Sequence, residues 1–132
     1  MKIFIVDDDI EFSEVVKEMI LRGAKDDNKK DDGAIKIQHF TNAIEAINAT
    51  SEQVPDLIFL DVLLDGPDGF TLLNEMQSYG DLAKVPVVLL TSLDFAGKDL
   101  SRYGVVEILN KSEMVPEQVH ALIAKYYPNE KE

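Results

Sequence analysis

The sequence predicts an α/β protein: a single doubly wound, five-stranded parallel sheet with helices on both faces. Three observations carry this. Five short apolar runs recur along the chain, stretches of helical period separate them, and the first and third runs stop abruptly at carboxylates. Regular alternation of strand and helix implies right-handed crossovers, which place helices on both faces of one sheet.

The strands are expected at Ile3 to Val6, Ile35 to Ile37, Leu57 to Leu60, Val87 to Leu90 and Val105 to Leu109. The third and fourth are continuously apolar rather than alternating, which suits central strands covered on both sides. A first helix carries Phe12, Val15, Val16, Met19 and Ile20 at the spacing of one buried stripe, with Arg22-Gly23 as its stop. A second follows Thr41-Asn42 and buries Ala43, Ile44 and Ile47. A third opens near Asp68-Gly69, buries Leu72, Leu73 and Met76, and ends by Gly80. A short fourth helix is expected over Phe95 to Tyr103. A fifth starts at Pro116 and buries Val119, Leu122, Ile123 and Tyr126.

Composition narrows the function. The 132 residues suit one domain, which buries roughly two thirds of its unfolded surface. That domain is expected over residues 1–127, with 128–132 as a short tail. Asp and Glu number 25 against 13 Lys and Arg, and the net charge of −12 opposes direct binding to nucleic acid or anionic lipid. Without cysteine there is no thiolate nucleophile, zinc-thiolate site or disulfide, which fits a reducing cytoplasm. Met1-Lys2-Ile3 runs straight into a strand, and no apolar run approaches ~18 residues, so no membrane location is expected. The charged insert Asp26 to Gly33 fails as a calcium loop, because Lys30 and Ile37 occupy ligand positions. It is expected to be a solvated loop.

The strand ends hold the chemistry. Asp7 and Asp8 follow the first strand, Asp61 the third, Thr91-Ser92 the fourth and Lys111 the fifth. Ligands in open α/β sheets collect beyond the carboxyl ends of the strands. Crowded carboxylates repel one another and call for a divalent cation, and an all-oxygen donor set suits Mg2+ with several waters retained. A carboxylate, a magnesium ion, a hydroxyl and an ammonium are the parts that hold a phosphoryl group and spread its charge. Taken alone, Thr91-Ser92 could cap a helix and Lys111 could be an ordinary exposed lysine. Asp9 is assigned to capping the first helix.

Through IVDDD, LIFLDVLLDGPDGF, VVLLTS and ILNKS, in that order and spacing, the chain resembles the receiver domain of bacterial two-component response regulators along nearly its whole length. The resemblance implies the flavodoxin-like strand order 2-1-3-4-5. It implies Asp61 as phosphoacceptor, with a histidine kinase or histidine phosphotransfer protein as donor. It further implies Mg2+ held by Asp8, Asp61 and the Leu63 carbonyl, with Asp7 acting mainly through water. Lys111, Thr91 and the Ser92 N–H would bind the phosphoryl oxygens. Such a domain is cytoplasmic and catalyses only its own phosphorylation and dephosphorylation. Downstream it would switch partner interactions.

Four departures accompany the match. Asp65 stands where the family usually has proline, with Pro67 displaced by two; Ile108 replaces an aromatic; Ser112 replaces the proline after the lysine; and the segment from Thr91 to Ile108 is short. With Ser112 the peptide bond after Lys111 is expected to be trans. Ile108 and Ser112 motivate an alternative, a phosphorylation-independent protein interaction module. An aspartyl-phosphate phosphatase would need a second acid where Leu63 stands. A flavodoxin-type cofactor site would need hydroxyls and glycines where Asp7-Asp8-Asp9 stands. Leu63 and Leu93 offer no group to orient a hydrolytic water, which predicts slow autodephosphorylation.

Overall fold

The computed structural model describes residues 1–26, 35–64, 68–92 and 99–128. Along the chain run β1 (Lys2–Val6), α1 (Ile10–Asp26), β2 (Lys36–Phe40), α2 (Ala43–Thr50), β3 (Leu57–Asp61), α3 (Gly69–Gln77), β4 (Val87–Thr91), β5 (Val105–Asn110) and α4 (Pro116–Tyr126). Short 3-10 turns lie at Leu82–Lys84 and Ser101–Tyr103. The strands form one parallel sheet in the order β2-β1-β3-β4-β5, so the strand order reverses beside β1, where β3 becomes its second neighbour. Both the fold class and the strand order are as expected.

Strand alternation divides the core into two layers. Phe4, Val6, Ile58, Leu60, Val87 and Leu89 point to the side packed by α2 and α3, together with Ala43, Leu72, Leu73 and Met76. Ile3, Ile5, Leu57, Phe59, Val88 and Leu90 point to the side packed by α1 and α4, with Val16, Ile20, Val119 and Ile123. Because β1, β3 and β4 are covered on both faces, their sequences read as unbroken apolar runs. Among the described residues no helix is long and apolar enough to cross a membrane.

Several local expectations are corrected. Strand β2 reaches Phe40 instead of ending at Ile37, its residues pairing one for one with β1 from Lys2↔Lys36 to Val6↔Phe40. Helix α1 continues through Gly23 to Asp26. Gly23 is needed there for close approach: a Cβ would stand 2.3 Å from the His120 ring on α4. In α2 the buried stripe is Ala43, Ala46 and Thr50, while Ile44 is exposed and Ile47 half-buried. Small residues on that stripe bring the helix close to the sheet.

Helix α3 ends at Gln77, capped by Ser78, before Gly80 is reached. Tyr126 is half-buried rather than buried. Of the helix expected over Phe95 to Tyr103, the described part holds only the 3-10 turn Ser101–Tyr103, so four α-helices, not five, are present among the described residues. Residues 95–98 of that segment, with Leu93, lie outside the described residues, as do most of the Asp26 to Gly33 insert, Asp65, Pro67 and the end of the tail.

The helix starts follow capping chemistry. Asp9 Oδ1 accepts from Phe12 N at 3.0 Å, Asn42 Oδ1 from Glu45 N at 2.9 Å and Asp68 Oδ1 from Thr71 N at 3.1 Å. Behind the Asp68 cap, Gly69 N donates to Val62 O at 2.9 Å, drawing α3 against the end of β3. A Cβ on Gly69 would lie 2.6 Å from the Asp61 carbonyl oxygen, a backbone atom that cannot swing aside. Gly69→Ala is therefore expected to lower stability by about 1–3 kcal/mol, measured by urea denaturation, despite alanine's better helix propensity.

Candidate functional site

Four strand ends deliver side chains to one rim. Val6 pairs with Leu60 and Asp61 with Leu90, so the first acid past β1 and the last residue of β3 stand side by side. Asp7 is fully buried and Asp61 is 6% exposed, while Asp8 is more open to solvent. One carboxylate oxygen from each of Asp7, Asp8 and Asp61 lies within 4.8 Å of the others.

Lys111, just past β5, reaches across the rim. Its Nζ sits 2.9 Å from Asp7 Oδ2 and donates to Asp61 Oδ2 at 3.2 Å. Asp7 Oδ2 is a buried oxygen whose charge is met by the Lys111 ammonium. The ammonium also lies 4.8 Å from the centre of the Phe12 ring, within cation–π range. Burial alone would lower the Lys111 pKa, but the two ion pairs outweigh it and hold the pKa above its ordinary value.

Asp61 is also shifted upward, which in a carboxyl group favours the neutral form. Burial first, then the neighbouring Asp7 charge, raise its pKa from 3.8 to about 6, against the lowering pull of the Leu63 N–H and Lys111. Three carboxylates against one ammonium leave two negative charges uncompensated at neutral pH. An oxygen-only cluster with this excess of negative charge fits a hard divalent cation. The acidic pocket thus suits Mg2+ and phosphorylation of an aspartate.

The remaining predicted residues are at the same rim. Leu63 N donates to Asp61 Oδ1 at 3.1 Å, and the Leu63 side chain is exposed. Thr91 is buried at the end of β4, its carbonyl accepting from Lys111 N at 2.9 Å, and Ser92 beside it is exposed. The peptide bond after Lys111 is trans, as expected. Asn110 Oδ1 accepts from Ser112 N at 2.8 Å and from Ser112 Oγ at 2.6 Å, while its carbonyl accepts from Glu113 N and Met114 N. This turn uses a backbone N–H that proline could not supply.

Sequence reasoning missed Asn110, Phe12, His39 and Ser13. The Asn-Lys-Ser order is an Asx-turn signal and could have identified Asn110. Phe12 was visible only as a member of the α1 stripe. For His39, whose ring nitrogen meets Asp7 across 32 residues of chain, no local signal exists.

Comparison with known proteins places this geometry in context. The family model for the response regulator receiver domain matches residues 3–124. Response regulator PleD of Caulobacter vibrioides is 38% identical over 52 residues, covering 39% of this chain and 12% of PleD. The BeF3-activated N-terminal receiver domain of Klebsiella pneumoniae RstA is 26% identical with a TM-score of 0.69, covering 98% of this chain and all of that one. The receiver domain of sensor histidine kinase PA1611 from Pseudomonas aeruginosa PAO1, with a magnesium ion coordinated in its active site cleft, has a TM-score of 0.76 at 18% identity, covering 95% of each chain. Matches to curated relatives cover from 12% to 54% of those proteins' lengths.

The raised Asp61 pKa predicts an inverted pH dependence. Between pH 3.8 and about 6 the folded chain holds a proton that the unfolded chain has lost. The stability contributed by Asp61 is therefore complete below the lower value and is lost as pH rises through the upper. In metal-free buffer Asp61→Asn should gain on the parent over that window, by at most about 3 kcal/mol and less where water screens the carboxylate. Chemical denaturation at pH 4.5 and 7.5 measures it, and millimolar magnesium should shrink the difference at the higher pH.

Proposed function

The chain belongs to the response regulator receiver domain family, and from that membership we propose that Asp61 accepts a phosphoryl group from a histidine kinase or histidine phosphotransfer protein. The observation that supports it most is the Asp7–Lys111–Asp61 bridge, which sets a carboxylate, an ammonium and the acidic cluster on one rim. In the transfer, Asp61 Oδ forms a bond to phosphorus. The phosphorus–nitrogen bond to the donor imidazole breaks, and its electron pair leaves with the imidazole.

Asp8, Asp61 and the Leu63 carbonyl would hold Mg2+, with Asp7 acting through water. Bound there, the ion supplies neutralising charge for the incoming phosphoryl oxygens. Lys111 would bind one of those oxygens, and the Thr91 hydroxyl and Ser92 N–H others. Thr91 would rotate inward as the phosphoryl group arrives. Switching of a partner interaction then follows from whichever surface differs in affinity between the two states. The domain spans residues 1–127, with a tail over 128–132.

The intact bridge does not favour a phosphorylation-independent module. Ile108, where an aromatic would usually stand, is half-buried against the Phe4–Leu89 core layer and serves as packing.

Incubation with acetyl phosphate and magnesium should add one phosphoryl mass, lost in Asp61→Asn and on chelation by EDTA, as read by intact-protein mass spectrometry. Labelling that survives Asp61→Asn would overturn the assignment. With an apolar, exposed Leu63 beside the acceptor, the phosphorylated form should decay over minutes or longer after the phosphodonor is removed. A lifetime of seconds would contradict it.

A further inference from the structure

We propose that His39 and Ser13 act together as positioning residues for the turn between β1 and α1, holding Asp7 and Asp8 in cation-binding shape before a cation arrives. The two lie outside the acid cluster itself. His39 is on the edge strand β2, paired with Ile5, and Ser13 is on the first turn of α1 with 2% exposure.

A closed ring of hydrogen bonds connects them to the acids. His39 Nε2 lies 2.8 Å from the Asp7 carbonyl oxygen and 2.9 Å from Ser13 Oγ. A carbonyl oxygen only accepts, so Nε2 carries the proton and shares it between both oxygens. Ser13 Oγ donates to the Asp9 carbonyl at 3.0 Å, and Asp9 N returns to Asp7 Oδ1 at 2.9 Å. Asp7 N donates to Phe40 O at 2.9 Å. The end of β2 therefore grips Asp7 by both its N–H and its carbonyl.

The need for such a grip is electrostatic. Asp7, Asp8 and Asp61 repel one another, and a turn with no such tie would relax by spreading its carboxylates into water. Each bond in the ring opposes that movement, and none uses a carboxylate oxygen except Asp7 Oδ1. Asp7 Oδ2 stays outside the ring and faces the rim, where the Lys111 ammonium meets it at 2.9 Å. Partners that orient metal ligands in this way typically govern metal affinity by about tenfold or more.

The inference rests on the cation reading of this same site, so its test has an arm that needs no metal. In the uniformly 15N-labelled chain at one fixed pH, magnesium chloride titration should show Kd rising about tenfold in His39→Ala. His39→Gln, whose carboxamide nitrogen can take the place of Nε2, should stay within about twofold of the parent. In metal-free buffer, the Asp9 amide should exchange with solvent faster in His39→Ala and return toward the parent rate in His39→Gln. Ser13→Ala removes a single hydroxyl, and should show the same changes if His39→Ala does not fold.

Parent-like exchange at Asp9, or a parent-like Kd in folded His39→Ala, overturns the proposal. If the parent itself binds no magnesium, the metal reading fails and the exchange arm alone decides the positioning role.

Discussion

The Lys111 ammonium is the interaction on which the rest of the rim depends. It lies between Asp7 and Asp61, and those three residues come from the ends of β1, β3 and β5. Taking the lysine out of such a buried set leaves its carboxylates uncompensated, which costs several kcal/mol. The pair energies alone do not measure its value, because desolvation offsets much of the attraction. The structural effect is clearer: one cation holds together strand ends whose carboxylates would otherwise push apart. Phe12 below the ammonium and the Thr91 carbonyl on the Lys111 N–H fix where that cation stands.

This arrangement was legible in the sequence to the degree that it depends on local pattern. Leu57-Ile58-Phe59-Leu60 and Val87-Val88-Leu89-Leu90 read as central strands because both faces of each are covered, and the acid or hydroxyl after each run marked the rim. The Asp68 cap was equally visible. Strand β2 was less so, since Gln38 and His39 interrupt its apolar pattern at a sheet edge, where among the described residues it pairs with β1 alone. The end of α1 was misjudged because glycine is a general stop signal, whereas Gly23 answers to the His120 ring on a helix about a hundred residues later. Ile44 was assigned inward by its apolarity, but close approach of α2 to the sheet selected Ala43 and Ala46 for that face.

The loop after β5 shows how a departure from the usual pattern can keep the local geometry. A proline after the lysine would constrain the backbone through its ring. Here Asn110 constrains it through hydrogen bonds, its side chain on Ser112 and its carbonyl on Glu113 and Met114. Lys111 is thus held by its own N–H on one side and by an Asx turn on the other. What changes is the origin of the constraint: covalent restriction of φ in one case, polar contacts in the other. The charge that Lys111 presents to Asp7 and Asp61 remains.

Charge balance connects the acidic rim to its proposed use. With Asp61 ionised, the cluster has two more negative charges than Lys111 can match, and burial makes each cost more than it would in water. One divalent cation is the smallest species that cancels this excess. An aspartyl phosphate would then return about two negative charges to the same place, in a site whose protein groups have already been neutralised. Lys111 is the only ammonium or guanidinium that ion-pairs with these acids among the described residues. It cannot serve Asp7, Asp61 and a phosphoryl oxygen equally, so loading of the proposed acceptor would weaken the bridge between the ends of β1, β3 and β5. A rearrangement on phosphorylation would have its physical origin in that redistribution, and the buried Thr91, whose carbonyl accepts from Lys111 N, would lie next to it.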